Sequence, residues 1–245
     1  METREHYGRQ PQQFAALNPI ESMGIAFDIE TKVNPGVEDQ FDPESVALGN
    51  VKDPEKIAAK VEEAKARFID KAALSPSLSR IVSIGFYGHG FKTPMIQTAR
   101  NDDDEEKLIN EFFHVFTSMR DRAIVSFRGL SFDLPFLYHR ARVWRNKGVF
   151  ELPPATARQR STDMFKELTF GMYWGDIGTL WPDASLAGFA KQFGVDSVKR
   201  QNECEGKDYA EYVLSEDVEK VKMAHNHLTA DLEETYALYS YPMNH

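Results

Sequence analysis

The segment Gly24-Ile25-Ala26-Phe27-Asp28-Ile29-Glu30-Thr31 places four apolar, strand-like residues directly before two carboxylates at a spacing of two. On a β-strand, residues i and i+2 project from the same face, so Asp28 and Glu30 leave a hydrophobic strand together. Like charges held this close repel, and burial sharpens the repulsion. A divalent cation between them removes it. Mg²⁺ and Mn²⁺ prefer carboxylate oxygen and retain water positions open to phosphate. An isolated Asp-x-Glu pair also describes an ordinary strand end with solvated acids, so its meaning depends on the rest of the chain.

Outward from this strand (residues 23–31), a Pro-, Gly- and Asp-rich loop covers 33–53. Asp53 as N-cap and Pro54 in the first turn predict a helix to Ala73, with Ile57, Val61, Ala64 and Phe68 at helical spacing. Strands are expected at 79–87 and about 93–99, joined by Gly88-His89-Gly90. The acidic run from Asn101 to Glu106 reads as the start of a helix over 104–120, because acids favour a helix N-terminus. A short buried strand at 123–127 follows, then a helix from about 132 to 146. A strand or short helix is expected near Thr162-Asp163-Met164. A helix capped by Ser185 runs to Gly194, and a last helix covers about 215–239. This order predicts an α/β layer fold with a mixed central sheet flanked by helices.

Two later points join the first carboxylates. Asp133 lies in Phe127-Arg128-Gly129-Leu130-Ser131-Phe132-Asp133-Leu134-Pro135-Phe136-Leu137, after a buried strand and a glycine turn, where it opens a helix. Helix capping alone would also suit an acid there. His227 and Asp231 are four residues apart in the last helix and share one face. A histidine one turn from a metal-binding carboxylate can take a proton from water, although an ordinary surface His–Asp pair has the same spacing.

Phe-Asp-Ile-Glu-Thr, Gly-x-x-Phe-Asp-Leu-Pro-Phe-Leu and the late His-x-x-x-Asp, in this order, resemble the DEDD (DnaQ-like) 3′–5′ exonuclease superfamily. The similarity is nearest to the exonuclease domain of family B DNA polymerases and its stand-alone relatives. Ser-Leu-x-x-Phe-Ala-x-x-Phe-Gly at 185–194 fits the same group. The resemblance implies a ribonuclease H-like three-layer fold and two divalent ions, Mg²⁺ or Mn²⁺, on Asp28, Glu30, Asp133 and Asp231. It implies that His227 acts on the attacking water, and that Thr31 and Phe132 border the terminal nucleotide. Arg128 stands where the family usually carries Asn, and either adds a phosphate contact or sits on the surface. The histidine subgroup places His five residues before its Asp. Here His227 has the four-residue spacing of the tyrosine subgroup, position 226 is Asn, and His225 is six residues away.

The resulting expectation is a metal-dependent exonuclease acting on 3′ ends of DNA, single-stranded by preference, in replication or repair. A catalytically inactive nucleic-acid-binding module and an RNA exonuclease of the same superfamily are the alternatives. Residues 1–20 read as a flexible lead-in, and 21–245 as one domain with a helical insertion near 54–73. The net charge of −9 argues against broad non-specific coating of DNA. No apolar run approaches the ~18 residues of a membrane span, the polar N-terminus lacks a signal core, and Cys204 is the single cysteine. These features point to a reducing cytoplasm with no membrane partner, and the resemblance implies a bacterial or phage-infected cell. Oligomeric state is not encoded in any motif.

Overall fold

The computed structural model describes residues 24–119, 122–145, 153–171 and 180–241. The expected lead-in over 1–20 lies outside them. Five strands form one sheet: β1 (Ile25–Val33), β2 (Ser79–Gly88), β3 (Met95–Thr98), β4 (Ile124–Ser126) and β5 (Ser161–Asp163). Their order is β3-β2-β1-β4-β5. β2 is antiparallel to both β1 and β3, and β4 and β5 run parallel to β1 and to each other. The sheet is therefore mixed, as the element order predicts.

Among the described residues there are eight α-helices: α1 (Pro54–Ala73), α2 (Asp102–Ser118), α3 (Asp133–Val143), α4 (Pro154–Arg160), α5 (Met164–Thr169), α6 (Leu186–Phe193), α7 (Tyr209–Val213) and α8 (Val218–Ser240). Three predicted caps, on α1 and α6, act as such. The Asp53 carboxylate accepts from Glu55 N and Lys56 N, Ser185 Oγ accepts from Gly188 N, and Gly194 closes α6 in the left-handed conformation. The acidic run starts α2 two residues earlier than expected, because Asn101 caps it by accepting from Asp104 N. The short helices α4 and α7 carry too few turns for their periodicity to stand out, and the sequence does not announce them.

Alternation along β1 divides the core. Ile25, Phe27 and Ile29 pack with Ile84, Phe86 and the α2–α3 side chains Phe112, Phe113, Phe116 and Leu137. Ala26, on the opposite face, packs with Val82 and with Leu228 and Leu232 of α8. Asp28 and Glu30 continue the Ala26 face, which is the face α8 covers. Among the described residues, no helix is long and apolar enough to cross a membrane.

The approach of α8 depends on a missing side chain. Gly85 is the register partner of Asp28, and a Cβ built on it would lie 2.6 Å from Leu232 Cδ1 and 3.1 Å from Leu228 Cγ. Gly85→Ala is expected to lower stability by about 1–3 kcal/mol through overpacking, a melting-point drop of roughly 2–12 °C for a chain of this size. An unchanged melting temperature would show that α8 does not sit this close.

Candidate active site

Three elements bring the predicted acids together. β1 supplies Asp28 and Glu30. The N-terminus of α3 supplies Asp133, whose Oδ1 accepts a 3.2 Å hydrogen bond from Ile29 N, between the two β1 acids. Asp133 is also hydrogen-bonded to Asp28 through the side chains. α8 supplies His227 and Asp231. His227 Nε2 lies 3.4 Å from Glu30 Oε1 and 3.5 Å from Asp231 Oδ2. Ligand atoms of Glu30, His227 and Asp231 all fall within 4.8 Å of one another, an arrangement able to hold a metal ion. Thus the four-residue spacing of His227 and Asp231, which departs from the histidine subgroup, still turns the imidazole toward the acids. His225, six residues before Asp231, is exposed, and partial desolvation lowers its pKa.

The electrostatics of this arrangement are unfavourable without a cation. Asp133 is 2% exposed, and its carboxyl is pushed up to about 7, chiefly by burial and against the relief of the Ile29 amide. Asp28 lies well above the usual carboxylate range through burial, then through the charges of Asp133, Asp231 and Glu30. Glu30 is raised by burial and by Asp231 and Asp133. Glu30, His227 and Asp231 nevertheless keep side-chain exposures of 15–18%, so solvent and ions reach them. An oxygen-rich donor set that repels itself and opens to solvent fits divalent ions of the Mg²⁺ or Mn²⁺ kind.

These shifts have a consequence for stability. The folded, metal-free chain keeps protons on groups that ionise near 4 when unfolded. Where the native state binds more protons, stability falls as pH rises. In EDTA the melting temperature is therefore expected to fall between about pH 5 and pH 8, as pH passes the value near 7 at Asp133. The fall should shrink in Asp133→Asn and be offset by added Mn²⁺, which binds the deprotonated carboxylates. A metal-free protein that melts higher at pH 8 than at pH 5 would contradict this account.

Several residues that shape the site carry no signal in the sequence. Arg200 contacts both Asp231 and Glu234. Its Nε donates to both Glu234 carboxylate oxygens at 2.9 Å, and Nη1 reaches Glu203 at 3.1 Å. Glu203 Oε2 in turn lies 3.2 Å from His227 Nδ1, off the direction of a hydrogen bond. Asp163, at the end of β5, accepts from Arg128 N, Leu130 N and Phe165 N at 2.9–3.2 Å, and so fixes the turn before Asp133. That turn also requires Gly129, where a Cβ would lie 2.5 Å from Ser126 Cβ.

The remaining predicted residues fall around this frame. Arg128 adopts the left-handed conformation, φ 64°, which Asn tolerates better than most residues. Its Nη2 donates to Ala184 O at 3.0 Å, and its guanidinium lies over the Phe165 ring at 4.2 Å. Phe132 immediately precedes α3, half-buried, and packs on Phe136. Thr31 follows a register shift in β1 and donates through Oγ1 to Ala73 O at 2.7 Å.

Comparison with known proteins places this geometry. The sequence profile of the family RNase_H_2, RNase_H superfamily, matches residues 69–242, which include Asp133, His227 and Asp231 but not β1. The match covers more than half of the chain, and the chain belongs to the RNase H superfamily. No curated protein matches it. Among solved structures it is similar to the family B DNA polymerase of the hyperthermophilic archaeon Pyrobaculum calidifontis, with a TM-score of 0.53 and 17% identity over 90% of this chain. The chain spans 24% of that polymerase's length, and at this identity the likeness shows the fold alone.

Proposed function

Starting from that membership, we propose that the chain is a metal-dependent exonuclease that hydrolyses the terminal phosphodiester of a DNA strand from its 3′ end. The observation that carries the reading is the convergence of Asp28, Glu30, Asp133, Asp231 and His227 from three elements, with the acids mutually repelling. A buried set of like charges is costly to keep and is understandable as a cation site.

Asp28, Glu30, Asp133 and Asp231 would hold the divalent ions. Bound there, two such ions supply acidification of water and neutralisation of charge on the attacking and leaving oxygens. His227 Nε2, on the edge of the acids, accepts the proton of the attacking water. Glu203 and the neighbouring Tyr209 ring, 5.9 Å from the imidazole centroid to centroid, limit its rotation. Thr31 and Phe132 border the terminal nucleotide, and the Arg128 backbone holds the turn that presents Asp133.

One observation favours a second reading. The Arg200 guanidinium already neutralises Asp231 from within the protein. That arrangement suits a nucleic-acid-binding module that has kept the fold and needs no metal. Digestion of a 5′-labelled single-stranded DNA oligonucleotide with Mg²⁺ or Mn²⁺, beside EDTA, separates the two. A ladder of shortening labelled products, absent in EDTA, supports the exonuclease. Binding without cleavage, and no heat of Mn²⁺ binding by calorimetry, supports the module. Cleavage of a matched RNA oligonucleotide but not of the DNA would move the substrate to RNA.

A further inference from the structure

We propose that the cleft between α1 and the loop preceding it is a track for single-stranded nucleic acid that leads to the carboxylate cluster. This inference rests on the nuclease reading and adds the place where the strand beyond the reacting nucleotide is held. The cleft has a volume of about 610 Å³ and is lined by Phe41 of the loop and by Lys60, Glu63, Arg67, Phe68 and Lys71 of α1.

Lys60, Arg67 and Lys71 recur at spacings of seven and four and form one stripe along the helix. They are about 10 Å and 6 Å apart along its axis, and all three are exposed. In a chain of net charge −9 this row is a local reversal of sign. Glu63 is the one acid in the lining. Its pair with Arg67 is exposed on both sides, 62% and 71%, and such pairs are weak enough for a phosphate to replace. Between the cations sit Phe41 and Phe68, half-buried, with ring centroids 5.8 Å apart. Cations that follow a backbone, with aromatic faces for bases, make a single-strand site tolerant of sequence. An acidic peptide would use the cations but not the rings.

The stripe is also connected to the acids. Thr31, next to Glu30, bonds through its hydroxyl to the carbonyl of Ala73, the last residue of α1. Lys71 therefore lies at the end of α1 that is tied to the catalytic strand. At the other end Lys60 Nζ donates to Leu48 O at 3.3 Å and steadies the opposite wall.

The test is fluorescence anisotropy of the full chain with labelled oligothymidylates of increasing length, in Ca²⁺ to suppress cleavage. Affinity is expected to rise with length and then level off. Lys60→Ala/Lys71→Ala, both on the surface, should bind the long oligonucleotides about tenfold more weakly and the dinucleotide equally. Its plot of log affinity against log salt should be shallower by about 1.4, at roughly 0.7 per lost phosphate contact. Affinity independent of length, or a double variant equal to wild type, would overturn the track. So would an acidic peptide that displaces the long oligonucleotide as well as an unlabelled one does. Hydrolysis of the nitrophenyl ester of thymidine 5′-phosphate reads the metal site alone. If both proteins cleave it with Mn²⁺ but show no length effect, the track fails and the nuclease stands. If neither cleaves it, or DNA, while length-dependent binding is lost in the double variant, the track stands and the nuclease fails.

Discussion

Asp28→Asn is expected to abolish cleavage and, in the same protein, to raise the melting temperature of the metal-free chain. Loss of activity should be about a thousandfold or more, on the order of 4 kcal/mol of barrier, because the variant removes one of four charges that would hold the ions. The gain in stability has the opposite origin. Asp28 is raised by burial and by three neighbouring carboxylates, so its ionised form strains the fold. An amide of the same shape carries no charge and can donate to Asp133, its present hydrogen-bond partner. The expected gain is about 1–2 kcal/mol, or roughly 2–8 °C at this chain length. It should be largest at pH 8, where the wild-type acids are most ionised, and should vanish when wild type is measured with saturating Mn²⁺. A variant that melts lower than wild type in EDTA at pH 8 would mean the acids are not held against one another. A variant that keeps cleaving would remove Asp28 from the site.

Part of the site is written in local sequence periodicity, and part depends on partners distant in the chain. Period-two alternation makes Asp28 and Glu30 neighbours whatever the fold, and helical period brings His227 over Asp231. The glycine turn before Asp133 has a local cause, since Gly129 alone fits against Ser126. Caps at Asp53 and Ser185 are likewise local and carry over unchanged. Arg200, Glu203 and Asp163 are different. Each meets the site across 24–35 residues of chain, and nothing in the spacing of an arginine or a lone acid reports such a partner. Glu105 is the clearest case. It sits in an acidic run whose other members suit a solvated helix start, yet it is fully buried, with 0% exposure. Periodicity points to its position on the inward face of α2, beside Leu108, Ile109 and Phe112. Its charge argues the other way, and only a partner distant in sequence reconciles the two.

That partner makes Glu105→Leu the most destabilising change expected in this chain. Glu105 accepts two parallel bonds from Arg140, Nε at 2.8 Å and Nη2 at 2.6 Å. It also accepts from Ile81 N at 2.8 Å and from Trp144 Nε1 at 3.1 Å. One carboxylate thus joins α2 to β2, to α3 and to Trp144, the residue that ends α3. Leucine would leave Arg140, a residue only 7% exposed, without its counter-charge, and the Ile81 amide without an acceptor. Removing one partner of a buried pair costs about 3–5 kcal/mol, here a fall of roughly 6–20 °C in melting temperature. The double variant Glu105→Leu/Arg140→Leu distinguishes a broken pair from a misfitted side chain. Replacing both charges with apolar groups of similar size is often close to neutral, so most of the loss should return. If the double variant melts as low as the single one, the cost lies in packing around α2. Arg140 belongs to the helix whose first residue is Asp133. The single variant should therefore also weaken Mn²⁺ binding, and the double should restore it together with stability.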